Sequence, residues 1–259
     1  MTCILVLPDV QAKPGNDFTY LNKIGQYILE KRPEIIVCIG DFADMPSLSS
    51  YDVGKKSFEG RRYQLDIEAS KDAMAQLLAP IVAWNKKAKK NHEKRYKPRM
   101  VMTLGNHENR INKTVNDHPN LDGLLSVDNL CYEKFGWEVH PFLEVVLIEG
   151  IAFSHYFTTG MMGRPAGTAA AQLRKTSMSS IAGHQQGLQI TTGYRADGKL
   201  LTSVISGSCY EHHEDYLGPQ GNQNHWRGFL VLHDVKDGAF DLMPVSLEYI
   251  NKKYPVRDI

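Results

Sequence analysis

Cys3 to Leu7 is an unbroken apolar run with the length of a buried strand, closed by Pro8-Asp9. After the Pro14-Gly15-Asn16-Asp17 breaker, Phe18, Leu21, Ile24 and Ile28 recur at helical spacing, with Asn16 or Asp17 placed to cap the helix and Pro33 shortly after its end. Ile35 to Ile39 is a second strand. Strand, helix and strand in this order make a βαβ unit with parallel strands and a right-handed crossover, so the sheet is expected to be α/β. Residues 46 to 65 are polar and aromatic without a period. They lead into a longer helix whose Ile67, Met74, Leu77, Leu78, Ile81 and Trp84 share a face. A basic run, Lys86 to Arg99, precedes a third strand, Met100 to Leu104. From Trp137 onward the runs are short and alternating (145–148, 151–154, 188–192, 200–206, 228–232, 240–245), with Gly and Asp-Gly turns, which predicts a β-rich second half. The Gly/Ala/Met segment Thr159 to Ala171 reads as a mobile loop entering a short helix.

The chain has 259 residues, 42% of them apolar and 23% charged, and its 30 Lys+Arg nearly cancel its 29 Asp+Glu. This excludes a disordered or strongly basic protein and allows a large buried core. With no internal repeat, low-complexity tract or linker-like break, one two-layer domain over residues 1–259 is expected. No apolar run approaches the roughly 18 residues of a membrane helix, and the start lacks a basic leader. The expectation is a cytoplasmic protein with no membrane partner. Cys3, Cys38, Cys131 and Cys209 have no C-x-x-C spacing, which fits a reducing compartment. Nothing in the sequence fixes the oligomeric state.

In an open α/β sheet, ligands collect beyond the carboxyl ends of the strands. Here strand one ends in Asp9-Val10-Gln11, strand two in Gly40-Asp41-Phe42-Ala43-Asp44, and strand three in Gly105-Asn106-His107-Glu108. Two later apolar runs end in Ser154-His155 and Gly183-His184-Gln185-Gln186. One such Asp is usually a turn former or cap. Five strand ends carrying ligand-type residues in order point to a shared site.

From Asp9 to about Gln186 the sequence resembles the calcineurin-like metallophosphoesterase superfamily, whose pattern is D-x-H, G-D-x-x-D, G-N-H-E/D, a lone H and G-H-x-H. Ser206-Gly207-Ser208 is similar to a degenerate form of the Gly-Ser turn that often follows. The resemblance implies a two-layer β-sandwich flanked by helices and a two-metal phosphoester hydrolase. Carried over by motif, Asp41 would bridge the metals, Asn106, His155 and His184 would complete one shell, and Asp9, Gln11 and Gln186 would fall at the other. Such a pair of cations generates and aims a hydroxide for in-line attack on phosphorus.

The second site departs from the pattern, because Gln11 and Gln186 replace both family histidines. Amide oxygens are hard, neutral and weaker ligands than imidazole, so this site should bind less tightly and favour Mn²⁺ or Mg²⁺ over Zn²⁺. Mn²⁺ is the expected cofactor at the pair, with Mg²⁺, Zn²⁺ and Fe as alternatives. A two-metal enzyme with one exchangeable ion is the leading outcome, ahead of a one-metal enzyme and a metal-binding protein without hydrolysis.

The resemblance makes His107 the general acid, with Asp44 fixing its tautomer. Arg110 is near enough in sequence to reach a phosphate, or to pair with an acidic neighbour. The run Lys86 to Arg99, eight basic residues against one Glu, should lie at the amino end of the sheet, away from the metals, as a solvated helix end. Lys55, Lys56, Arg61 and Arg62, with Tyr51, Phe58 and Tyr63 interleaved, follow Asp41 and combine phosphate-pairing with stacking groups, or form a plain basic loop. This insertion is also similar to that of phage-encoded members. Arg164 is a further phosphate candidate, and His212-His213 falls after the Gly-Ser turn. Asp44-Met45-Pro46 stands where the family's protein phosphatases have Asp-Arg-Gly, which disfavours protein phosphatase activity. The expectation is a phosphodiesterase or nuclease-like enzyme on nucleotide or nucleic-acid phosphate. The alternatives are a small-molecule phosphomonoesterase and a non-hydrolytic phosphate or nucleic-acid binder.

Overall fold

The computed structural model describes residues 2–214 and 217–255. In chain order the elements are β1 (Thr2–Leu7), α1 (Thr19–Lys31), β2 (Ile35–Cys38), α2 (Tyr63–Lys90), β3 (Arg99–Thr103), α3 (Asn109–Asp117), β4 (Glu138–His140), β5 (Val146–Ile148), β6 (Ile151–Phe153), β7 (Thr158–Thr159), β8 (Arg164–Pro165), α4 (Ala169–Thr176), β9 (Ser180–Ala182), β10 (Leu188–Tyr194), β11 (Leu200–Ser206), α5 (Gly218–Gln223), β12 (Gly228–Lys236), β13 (Ala239–Ser246) and α6 (Leu247–Lys253).

Two sheets carry the fold. The first has the order β13-β12-β1-β2-β3-β4, with β1 to β4 parallel and β12 antiparallel to β1. The second has the order β10-β11-β9-β6-β5, parallel through β11, β9 and β6. Both faces of the early strands are buried, which explains their unbroken apolar runs. Ile4, Val6, Val37 and Val101 meet Ile151, Phe153, Ile181 and Val204 of the second sheet. Leu5, Leu7, Ile36, Cys38 and Met102 face the helical side, with Leu21, Ile24 and Ile28 of α1 and Met74, Leu77 and Ile81 of α2. On the outer side of the second sheet, Gln172 of α4 is buried and donates to the carbonyls of Ser180 and Val204. The result is the expected helix-flanked β-sandwich.

Local sequence explains the helix positions. Asp17 accepts from the backbone N–H and hydroxyl of Thr19, and α1 ends with Arg32 in the left-handed region, its N–H on the Ile28 carbonyl. At Gly25 the two long helices touch, since a Cβ there would come 2.2 Å from the Leu77 carbonyl oxygen. The basic run closes α2 and continues through an exposed segment into the amino end of β3, as expected. Its Lys87, Lys89 and Lys90 sit in the last turn, where the helix dipole favours cations.

Residues 159–171 do enter a short helix, α4, as expected, but the stretch before it is paired: Thr158 and Thr159 pair with Pro165 and Arg164 in a small hairpin, and Thr168 then caps α4 through its hydroxyl. The parallel sheet also gains a fourth strand, β4, whose three residues are too few to show a period. Among the described residues no helix is long and apolar enough to cross a membrane.

Candidate metal centre

Asp41 follows β2 directly and turns back through a left-handed backbone conformation, with φ 48°. Its neighbours leave room for that turn only because residue 105 has no side chain. A Cβ on Gly105 would lie 2.0 Å from Asp41 Oδ1. From the end of β3, the backbone N–H of His107 donates to the same Oδ1 at 2.8 Å. From the end of β6, fully buried His155 brings Nε2 to 3.3 Å from Asp41 Oδ2 and 2.9 Å from Asn106 Oδ1. Its Nδ1 lies 2.8 Å from the Ile39 carbonyl and donates to it, which leaves Nε2 as the nitrogen facing the carboxylate. His184, after β9, packs its ring edge-on to His155 at 5.2 Å. Asp41, His155 and His184 form a group that can hold a metal ion, with ligand atoms all within 4.8 Å of one another.

This donor set fits a divalent cation. A carboxylate oxygen, an amide oxygen and an imidazole nitrogen converge in a buried space, and three acceptors without a cation among them would repel. In the cation-free chain a proton takes that place. Burial opposes it, but the charge and hydrogen bond of Asp41, helped by Asp9 and the Ile39 carbonyl, push His155 up to about 9. Burial and then the neighbouring His155 push His184 the other way, down to about 4, so it stays neutral and able to ligate. Burial also works against Asp41, yet His107 and His155 hold its carboxyl well below the usual range.

Beside this group stands a second pair. His107 Nδ1 is 2.8 Å from Asp44 Oδ1, and its Nε2 is 3.7 Å from Asp41 Oδ2. Burial lowers the affinity of His107 for a proton, but the charge of Asp41 and the close Asp44 carboxylate outweigh it and raise its pKa. Asp44 is steadied by Arg110, whose Nη1 donates to the Asp44 carbonyl at 2.6 Å and lies 3.5 Å from Oδ1. Arg110 thus takes the acidic-neighbour pairing.

The other predicted cation ligands meet less completely. Asp9 is fully buried at the end of β1, and both its oxygens lie 3.1 Å from the N–H of His184. Burial, with the nearby charge of Asp41, pushes it up to about 7 against the pull of His155. Gln11 is buried, and its N–H donates to the Asp41 carbonyl at 2.8 Å. Gln186 accepts at Oε1 from the Tyr210 hydroxyl. Gln11, Asp41, His184 and Gln186 are all non-glycine residues with positive φ (47°, 48°, 68° and 59°), a concentration of backbone strain typical of ligand sites.

The basic candidates are mostly occupied elsewhere. Arg61 donates to the carbonyls of Ser57 and Pro46 and pairs with Asp52 at 2.8 Å, and Lys55 also pairs with Asp52. Arg62 donates to the Arg61 carbonyl. These contacts fold the insertion on itself, so the structure does not bring Arg61 into the centre. Arg164 is exposed in β8.

Several residues were not singled out from the sequence. Buried Glu108 accepts from the backbone N–H groups of Asp41, Ala43 and Gly105 at 2.8–2.9 Å, and so ties the two ligand-bearing turns together. The carboxylate after Asn-His was visible, but its partners lie up to 67 positions away. Lys13 bridges Glu214 at 2.8 Å and Asp44 at 4.0 Å, and His212, which the sequence did single out after the Gly-Ser turn, joins Glu214 at 2.8 Å.

No protein-family model matches this chain, and no curated protein does. Among solved structures, one of YfcE, a phosphoesterase from E. coli, is 11% identical and aligns over 95% of this chain and all of its own, with a TM-score of 0.40. A second is 11% identical over 94% of this chain and 99% of its own, also at 0.40. Likeness at this level leaves the site to be read from its own residues, and neither structure bears on the similarity to phage-encoded members.

Proposed function

We propose that the chain is a divalent-cation-dependent phosphoester hydrolase that acts on phosphodiesters of nucleotides or nucleic acids, with Mn²⁺ as the favoured ion. The observation that carries this reading is the meeting of Asp41, Asn106, His155 and His184 beside the part-buried Asp44–His107 pair. The chemistry supplied when a divalent cation is bound is polarisation of a phosphoryl oxygen and acidification of water. Asn106, His155 and His184 would hold that ion with Asp41. His107, held by Asp44 at Nδ1, presents Nε2–H to the leaving oxygen and gives up that proton as the ester bond breaks. Burial opposes the proton, but the Asp41 charge and the nearby Asp44 carboxylate raise the pKa of His107, the direction an acid role needs. Of the second set of donors only Asp9 can carry a charge, and burial favours its neutral form, so a second cation there is the weaker one.

A net charge of +1 gives no support to extensive sequence-independent duplex binding, but leaves room for a local strand-end or nucleotide site. Hydrolysis of bis- and mono-p-nitrophenyl phosphate with Mn²⁺, with Mg²⁺ and with chelator tests the proposal. The expected result is Mn²⁺-dependent turnover, faster on the diester and abolished in Asp41→Asn. Preference for the monoester would favour a phosphomonoesterase. Absence of product under every condition would leave a phosphate binder.

A further inference from the structure

Gln186 stands where the resemblance puts a ligand of the second cation, yet one of the two lone pairs of its amide oxygen already accepts a hydrogen bond from Tyr210. The Tyr210 ring is fully buried and stacks on His212 at 4.3 Å with 17° between planes. The Arg227 guanidinium lies 5.2 Å from the ring centroid. A ring held this way fixes its hydroxyl, which donates to Gln186 Oε1 and lies 2.7 Å from His225 Nδ1. A phenol has one proton to give. With that proton on Gln186, the hydroxyl oxygen accepts from His225 Nδ1–H. The backbone of Gln186 is held as well, its carbonyl accepting from Trp226 N–H at 3.0 Å. An amide whose oxygen is turned to a donor presents its NH₂ on the other side. An NH₂ group repels a cation and attracts an anionic oxygen.

We infer that Tyr210 is a positioning residue that withdraws Gln186 from the second cation's shell and turns it into a hydrogen-bond donor for an anionic phosphate oxygen, so that the Asp41 centre is the tight cation site of the chain. The inference rests on the proposed reading that the Asp41 centre holds a cation. It explains why glutamine serves here, since this residue can switch from ligand to donor by the direction of its amide.

The test is Mn²⁺ binding followed by calorimetry and by the electron paramagnetic resonance of free Mn²⁺. It is applied to the full chain, Tyr210→Phe and Gln186→Ala, with thermal unfolding in chelator as the folding control. Wild type should bind one Mn²⁺ tightly and a second at least about tenfold more weakly. Tyr210→Phe frees the amide oxygen and should tighten the second ion about tenfold without moving the first. Gln186→Ala should leave both Mn²⁺ affinities as in wild type and weaken inorganic phosphate on the Mn²⁺-loaded protein about tenfold, the loss of one hydrogen bond to an anion. Two equally tight ions in wild type, a second ion weakened by Gln186→Ala, or a second ion unmoved by Tyr210→Phe would each overturn the inference while leaving the Asp41 centre intact. No tight Mn²⁺ in wild type would overturn the centre and this inference together. Should Tyr210→Phe fail to fold, Gln186→Ala carries the test.

Discussion

Replacing Glu108 with Gln perturbs the joint between the two ligand-bearing turns without changing side-chain size. In the native chain Oε2 accepts from Asp41 and Gly105, Oε1 accepts from Ala43, and the Tyr132 hydroxyl lies 3.3 Å from Oε1. Glutamine can keep its oxygen at the two-donor position, but its NH₂ then faces the N–H of Ala43. That contact changes from a charge-assisted hydrogen bond to a buried donor facing a donor, a loss of about 1–3 kcal/mol. The two bonds that survive lose their charge assistance, about 1 kcal/mol each. Burial and the charge of Asp41 raise the pKa of Glu108, so the neutral side chain also relieves some repulsion, which acts in the opposite direction. The net expectation is destabilisation of about 3 kcal/mol, equivalent to ~10 °C in Tm for a chain of this size. Urea and thermal unfolding of metal-free wild type and Glu108→Gln measure it, and Mn²⁺ titration of both reads the effect on the centre. A Tm within 1 °C of wild type, with unchanged Mn²⁺ affinity, would refute the view that this carboxylate organises the site.

His107→Asn should slow diesters with poor leaving groups by about 10²-fold or more and activated ones much less, as compared in steady-state kcat across leaving groups; equal losses would remove the acid role. The same variant should lose the alkaline fall in kcat that reports His107 giving up its proton, which a pH–rate profile checks. Gly105→Ala should abolish tight Mn²⁺ binding, because its Cβ would occupy the place of Asp41 Oδ1, and a calorimetric titration on folded protein decides this. Asp9 has a folded pKa of about 7, well above the usual carboxylate value, so its contribution to stability is full below about pH 4 and is lost as pH rises through 7. In chelator the Tm of wild type should therefore fall between pH 5 and 8 more than that of Asp9→Asn, and parallel slopes would contradict the buried, protonated carboxyl.

The strands and their ligand-bearing ends were legible because the signals are local. A continuous apolar run marks a strand buried on both faces, and the residues beyond it, Asp9, Asp41 and Asn106, fall where a parallel sheet must leave them. The pairing of His107 with Asp44 also followed from the motif order, and the structure places the two 2.8 Å apart. Contacts made across the chain were not legible. Glu108 reaches back to residue 41, Tyr210 meets Gln186 across 24 positions, and Lys13 meets Glu214 across 201. None of these pairings has a period or spacing to reveal it. Arg61 misled for the opposite reason. Its composition suits a phosphate, but Asp52, nine residues earlier, had already provided a counter-charge.

Four residues that line the centre, Gln11, Asp41, His184 and Gln186, hold backbone angles that glycine would adopt without penalty. A non-glycine residue there costs on the order of 1–2 kcal/mol, so the binding face stores several kcal/mol of conformational tension that the sandwich beneath it must restrain. Selection for heat resistance alone would drift these places toward glycine, and the molecule would grow sturdier as it lost its grip on ions. Bulky, polar residues at these places tie the lifetime of the fold to what it binds: a cation bound here would act as a clasp, and its removal should leave this rim the first part of the protein to loosen.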